Sequence, residues 1–170
     1  MNTAKFIDLL QVASQEMLEY VSSTYTAHPD ILEDLSAEGM IPAWDTLLAQ
    51  FMDAEFTNIA EASEDTYIGH QTAAYRAKDG TVLLVSAKCG SCPGCDPLMA
   101  TAAQKSPAAM VRLVVETVSA GVLCSTLKDA VVRSWEYKSA QHGGRSYGHR
   151  EAIGLLHAQL SELYAAEQGM

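Results

Sequence analysis

The hydrophobic period changes once along this chain, near Asp65, and that change sets the fold class. Before it, apolar residues recur at helical spacing. Phe6, Leu9, Leu10, Met17, Leu18 and Val21 predict a helix over 3–25. Pro29 suits the first turn of a second, short helix that carries Ile31, Leu32 and Leu35 and ends near Gly39. Pro42 opens a third, with Trp44, Leu47, Leu48, Phe51, Met52 and Ile59 on one face. Residues 1–64 therefore read as a layer of three amphipathic helices. After Asp65 the pattern becomes strand-like. Tyr67–Arg76 and the β-branched run Thr81–Ser86 flank an Asp79-Gly80 turn, a strong hairpin signal. Asp96-Pro97 and Ser106-Pro107 look like helix starts, each a cap residue with proline at the first helical position. They predict a short helix over Leu98–Gln104 and another ending near Gly121, although the valines of the latter also allow a strand. Val122–Ser125 suits an edge strand. Thr126-x-x-Asp129 resembles a capping box for a helix over Leu127–Lys138, with Ala130, Val131 and Trp135 inward. Residues 149–167 form a last helix. The expectation is one α+β domain over residues 1–170: a small antiparallel sheet (the hairpin plus a third strand near Cys124) packed against several helices. Residues 1–64 would be its acidic helical layer, and 65–170 would hold the hairpin, a cysteine loop and the C-terminal helices.

Charge is divided as unevenly as period. Residues 1–66 carry 13 acids and one base, Lys5, whereas residues 67–170 carry 10 bases and 8 acids. The first part thus has a net charge of −12 and the remainder +2. Such a field repels phosphate and draws basic partners, mainly by speeding encounter. Direct nucleic-acid binding, which needs clustered Lys and Arg to release counterions, is not expected. Asp30, Glu33, Asp34, Glu38, Asp45, Asp53 and Glu55 are the candidate partner-binding residues. A solvated acidic face that only keeps the chain in solution is the blander alternative. No run of 18 apolar residues suggests a membrane span, and Met1–Lys5 lacks the charged and apolar regions of a signal peptide. A cytoplasmic protein is expected.

The unusual chemistry lies in Cys89-Gly90-Ser91-Cys92-Pro93-Gly94-Cys95, which cannot be regular structure. Three cysteines spaced C-x2-C-x2-C, with Cys124 as a fourth from a neighbouring strand, would satisfy zinc or an iron–sulfur cluster. His70, His142 and His149 are substitutes for Cys124. Cys92-Pro93-Gly94-Cys95 also has the form of a dithiol redox pair, although Asp96 at the following helix start opposes thiolate formation. A third reading is structural: a tight turn with small buried cysteines, free or cross-linked, holding strand end to helix start. A stable disulfide is unusual in the cytoplasm. The chain has no phosphate-binding G-x-x-x-x-G-K-[ST], no G-x-S-x-G and no H-E-x-x-H. Asp129 and Glu136, seven apart on one helix, are a carboxylate pair without a pocket.

Gly90-Ser91-Cys92-Pro93-Gly94-Cys95-Asp96, placed after a hairpin, resembles the loop of a family of small bacteriophage and prophage proteins of unknown function. That family shares a glycine-serine-cysteine-x-glycine-cysteine-aspartate motif. The similar stretch is about residues 66–99, including Tyr67, Gly69 and Leu98, with a weaker echo over Leu127–Tyr137. Residues 1–60 carry no specific match. The family motif has two cysteines, at the positions of Cys92 and Cys95, and Cys89 stands where an aromatic or other residue is usual. The resemblance implies a fold neighbourhood and a viral or mobile-element source, but no reaction. With the acidic opening segment, it leads to the expectation of a non-enzymatic accessory protein that binds a basic host protein in a bacterial cytoplasm. The alternative is a metal-binding or thiol-redox protein built on Cys89, Cys92, Cys95 and Cys124.

Overall fold

The structure is a computed structural model that describes residues 1–64, 68–140 and 147–170. Its elements follow in the order α1 (Thr3–Ala27), α2 (Ile31–Glu38), α3 (Met40–Asp45), a π-helical turn (Thr46–Gln50), β1 (Phe56–Ser63), β2 (Ile68–Ala77), β3 (Val82–Gly90), α4 (Pro97–Ala103), α5 (Pro107–Ser119), β4 (Val122–Cys124), α6 (Leu127–Ala140) and α7 (Tyr147–Glu167). The four strands form one antiparallel sheet in the order β1-β2-β3-β4. The chain is α+β, as expected.

The alternation of side chains along a strand explains why the sheet is covered on both faces. Ala73, Tyr75, Ala77, Leu83, Val85 and Ala87 join the core built with Leu10, Met17, Trp44, Leu47, Met110 and Val114, on the side of α1 to α5. Ala74, Val82 and Leu84 face the other way, toward Leu127, Ala130, Leu156 and Leu160 of α6 and α7. The hairpin turns at Asp79-Gly80, where Gly80 has φ +87, a conformation that glycine adopts without penalty. Ala77 N donates to Thr81 O at 2.8 Å across this turn. The cap signals also act as read. Asp96 accepts from the Leu98 and Met99 amides, and Ser106 accepts from that of Ala109. The valine-rich segment after Pro107 is the helix α5, not a strand.

The opening segment departs from the expected helical layer. The third helix does not continue to Ile59. It ends in the π-helical turn, Asp53 and Ala54 take left-handed backbone angles (φ 54 and 49), and residues 56–63 form the edge strand β1. The alternation of β1 is masked by a bulge between Asn58 and Ala60. The bulge leaves Phe56 in one core and moves Ala60 and Ala62 to the other. Alanine and glutamate favour helix locally, and pairing with β2 overrides that preference. Trp135, expected inward, is instead 52% exposed and lies against the His157 ring with centroids 5.2 Å apart.

Candidate functional site

Cys89 and Gly90, expected to be irregular, are instead the last two residues of β3, held there by pairing with β2; the loop itself starts at Ser91. Cys89 lies opposite Gly69 on β2, and the chain then turns back into α4. Cys92 and Cys95 are joined by a disulfide, with Cα atoms 5.2 Å apart. Cys92 O accepts from the amides of Cys95 (2.9 Å) and Asp96 (2.8 Å), which closes the turn inside the disulfide ring. Asp96 is only 7% exposed. One carboxylate oxygen accepts from Leu98 N at 2.8 Å and Met99 N at 3.3 Å; the other accepts from Gly90 N at 3.2 Å. A single buried carboxylate thus caps α4 and ties it to the end of β3. This is the cross-linked turn that the structural reading of the loop describes.

The four cysteines do not form one ligand set. Cys124 sits opposite Val82, at the start of β3, whereas Cys89 lies seven residues further along that strand. At about 3.3 Å per residue the two are roughly 23 Å apart. Cys124 is fully buried, and its thiol is pushed up to about 12, first by burial and then by the Asp129 carboxylate. His70 is next to Gly69 on β2, so its side chain projects from the sheet face opposite to that of Cys89. His142 and the side chain of His149 lie outside the described residues. Among the described residues no three His, Cys, Asp or Glu side chains converge as metal ligands would. With two cysteines bonded to each other and a third at the far end of the strand, the cysteines present do not fit a tetrahedral zinc site.

Beside the loop lies a polar cleft of about 630 Å³, rimmed by Glu38 and Gly39 of the α2–α3 corner, Glu64, Gln71, Cys89 and Asp96. Gly39 has φ +91, and a β-carbon there would come within 3.3 Å of the Gln71 amide nitrogen. Gln71 in turn accepts from Met40 N at 3.2 Å, which fixes the corner to the sheet. One carboxylate oxygen of Glu64 is buried without a hydrogen-bond partner among the described residues. Burial, then Asp96, then Glu64 raise the Cys89 thiol above its ordinary range, so it stays protonated near neutral pH.

The seven nominated acids divide by position. Asp30, Glu33, Asp34 and Glu38 are all exposed and, with Ala37, recur at the spacing of one helix face. Leu32 is buried on the opposite side of α2. Among the described residues none of these four carboxylates enters an ion pair. Glu38 continues the face into the polar cleft. The other three lie elsewhere. Glu55 is 3.9 Å from Lys5, near the start of α1, and its backbone oxygen accepts from Lys78 N. Asp53 is two residues before it. Helix α1 spans 25 residues, about 37 Å, and α2 follows its far end, so Asp53 and Glu55 are not part of the α2 face. Asp45 is half-buried in a different cleft, beside Tyr75. The expected single acidic surface is therefore one compact face plus three separate carboxylates. Asp129 and Glu136 are both held by Arg133, at 3.4 and 3.9 Å, as surface ion pairs along α6.

No family model, curated protein or solved structure matches the chain. No helix among the described residues is long and apolar enough to cross a membrane.

Proposed function

We propose that this chain is a non-enzymatic, phage-type accessory protein that binds and modulates a basic host protein through the outward face of α2. The supporting observation is the set of four exposed carboxylates, Asp30 at the N-cap of α2 and Glu33, Asp34 and Glu38 on its outward face, which have no basic partner among the described residues. Exposed like charges eight residues or fewer apart repel one another and cost stability when nothing opposes them. A basic surface removes that cost and is drawn in over roughly a Debye length, about 10 Å at 0.1 M salt. The partner class is a nucleic-acid-binding or defence protein of a bacterial cytoplasm, because its basic surface is the natural target of phosphate and the α2 carboxylates would compete for it. Pull-down from bacterial lysate tests the reading. A basic protein retained at low salt and released at high salt is expected. Retention of no basic partner, or of one indifferent to salt, overturns it.

A second reading, thiol–disulfide exchange at Cys92–Cys95, is favoured by one feature: Cys92 is half-exposed while Cys95 is buried behind it. Asp96, which caps α4 next to the pair, opposes thiolate formation. Dithiothreitol-driven reduction of insulin disulfides, compared between the wild-type chain and Cys92→Ser, tests it. Equal rates would sink it.

A further inference from the structure

A second cleft, of about 360 Å³, opens on the α1-side face of the sheet, distinct from the cysteine loop and from α2. Asp45, Leu48 and Ala49 of the α3–π segment form one wall, Phe56, Thr57 and Asn58 of β1 the other, and Tyr75 of β2 lies at its base. Its volume is within the range of small-molecule sites, roughly 300–1,000 Å³.

Three backbone irregularities meet around it. The π-helical turn Thr46–Gln50 carries one wall. The bulge between Asn58 and Ala60 ends the other. Between them, Asp53 and Ala54 hold left-handed angles that side-chain-bearing residues rarely adopt. Each departs from the regular ladder at a cost in stability, and such departures concentrate where a chain shapes a site.

The chemistry of the cleft is incomplete in itself. Tyr75 is 1% exposed, and among the described residues its hydroxyl has no partner in good hydrogen-bond geometry. A buried hydroxyl in that state costs stability. Asp45 lies beside it, outside good hydrogen-bond geometry but near enough to attract the hydroxyl proton; after burial, the Asp45 charge and that attraction, and then the charge of Glu61, raise the phenol above its ordinary range. Among the described residues no Lys or Arg lines the cleft. A carboxylate and a phenol oxygen, both able to accept, thus stand together next to the apolar surfaces of Leu48 and Phe56.

We propose that the Asp45–Tyr75 cleft binds an alkylammonium group, the head and stem of a lysine side chain or of a small aliphatic amine. The ammonium donates to the Asp45 carboxylate and to the Tyr75 oxygen, which meets the unsatisfied hydroxyl. The methylene stem covers Leu48 and Phe56, and the aromatic face adds attraction for the cation. An anion is excluded by Asp45, and an uncharged alcohol lacks the charge that the carboxylate selects.

Amide chemical shifts, followed while n-butylammonium chloride is added to the full chain, test the site. Saturable shifts confined to residues 45–49, 56–58 and 75 are expected, with none from n-butanol at the same concentrations. Asp45→Asn should weaken binding at least about tenfold and Tyr75→Phe about three- to tenfold, as loss of a hydrogen bond to a charged group does. Blocked lysine, N-acetyl-lysine methylamide, separates the sources. Tighter binding than butylammonium points to a protein side chain and weaker binding to a free amine, and either supports the class. Equal response to butanol, or undiminished binding in folded Asp45→Asn, overturns the proposal. Neutralising Asp30, Glu33, Asp34 and Glu38 must leave the amine titration unchanged. Loss there, with Asp45→Asn unaffected, would also overturn it while leaving the α2 reading intact.

Discussion

Replacing Asp96 by alanine removes a side chain that hydrogen-bonds both the end of β3 and the start of α4. Three backbone amides lose their acceptor: Leu98 at 2.8 Å, Gly90 at 3.2 Å and Met99 at 3.3 Å. Loss of an N-cap costs typically ~1 kcal/mol and up to ~2. The Gly90 bond is longer, but it is made to a buried carboxylate; a further ~1 kcal/mol follows. Asp96→Ala should therefore destabilise the chain by about 2–3 kcal/mol. For a chain of this length that lowers Tm by roughly 4–12 °C. Asp96→Asn is the control. Its carbonyl oxygen keeps the cap, but its amide group meets the Gly90 N–H donor to donor, so it should fall between wild type and alanine. Urea unfolding and calorimetry on the oxidised protein measure both. A Tm for Asp96→Ala within about 1 °C of wild type would contradict this role of Asp96. It would mean that the disulfide and the Cys92 carbonyl bonds hold the loop unaided.

Tyr75→Phe deletes a buried hydroxyl that, among the described residues, makes no hydrogen bond of good geometry, so it should be neutral or stabilising by up to ~1 kcal/mol in urea unfolding, not destabilising as most core changes are. Gly121→Ala should cost ~1–3 kcal/mol in the same assay, because the new β-carbon would lie 2.7 Å from the Leu84 carbonyl oxygen and 3.0 Å from that of Val118. The Cys124 thiol has its pKa raised from 9.0 to about 12 in the folded chain, so the folded state keeps a proton that the unfolded state loses. Its contribution to stability is complete below pH 9 and falls as pH rises from about 9 to 12. Chemical denaturation across that range should show a shallower decline for Cys124→Ala than for wild type.

Much of the fold was legible because local signals agreed with the final packing. Asp79-Gly80 fixed the hairpin, and Asp96-Pro97 and Ser106-Pro107 fixed two helix starts, each through backbone chemistry that needs no long-range partner. β1 was hidden because its alanines and glutamate suit a helix and its bulge erases strict alternation. Trp135 was misplaced because helical spacing does not say which side of α6 the sheet covers. The α2 face was readable from the spacing of residues 30, 33, 34, 37 and 38, but the separation of Asp53 and Glu55 from it depends on the path of α1. Cys124 could be placed relative to Cys89 only through the register of β4 against the start of β3. The meeting of Asp45 with Tyr75, thirty residues apart, depends on the π-helical turn and the bulge together, and neither has a sequence signature here.

The most direct test of the α2 reading compares two neutralised variants at equal charge per substitution. One carries Asp30→Asn, Glu33→Gln, Asp34→Asn and Glu38→Gln; the other carries Asp53→Asn and Glu55→Gln. Retention of the basic host protein at low salt is measured for both against wild type. Capture lost in the α2 variant and kept in the second is the expected result. Capture kept without the α2 carboxylates, or lost equally in both, would contradict a binding face located on α2.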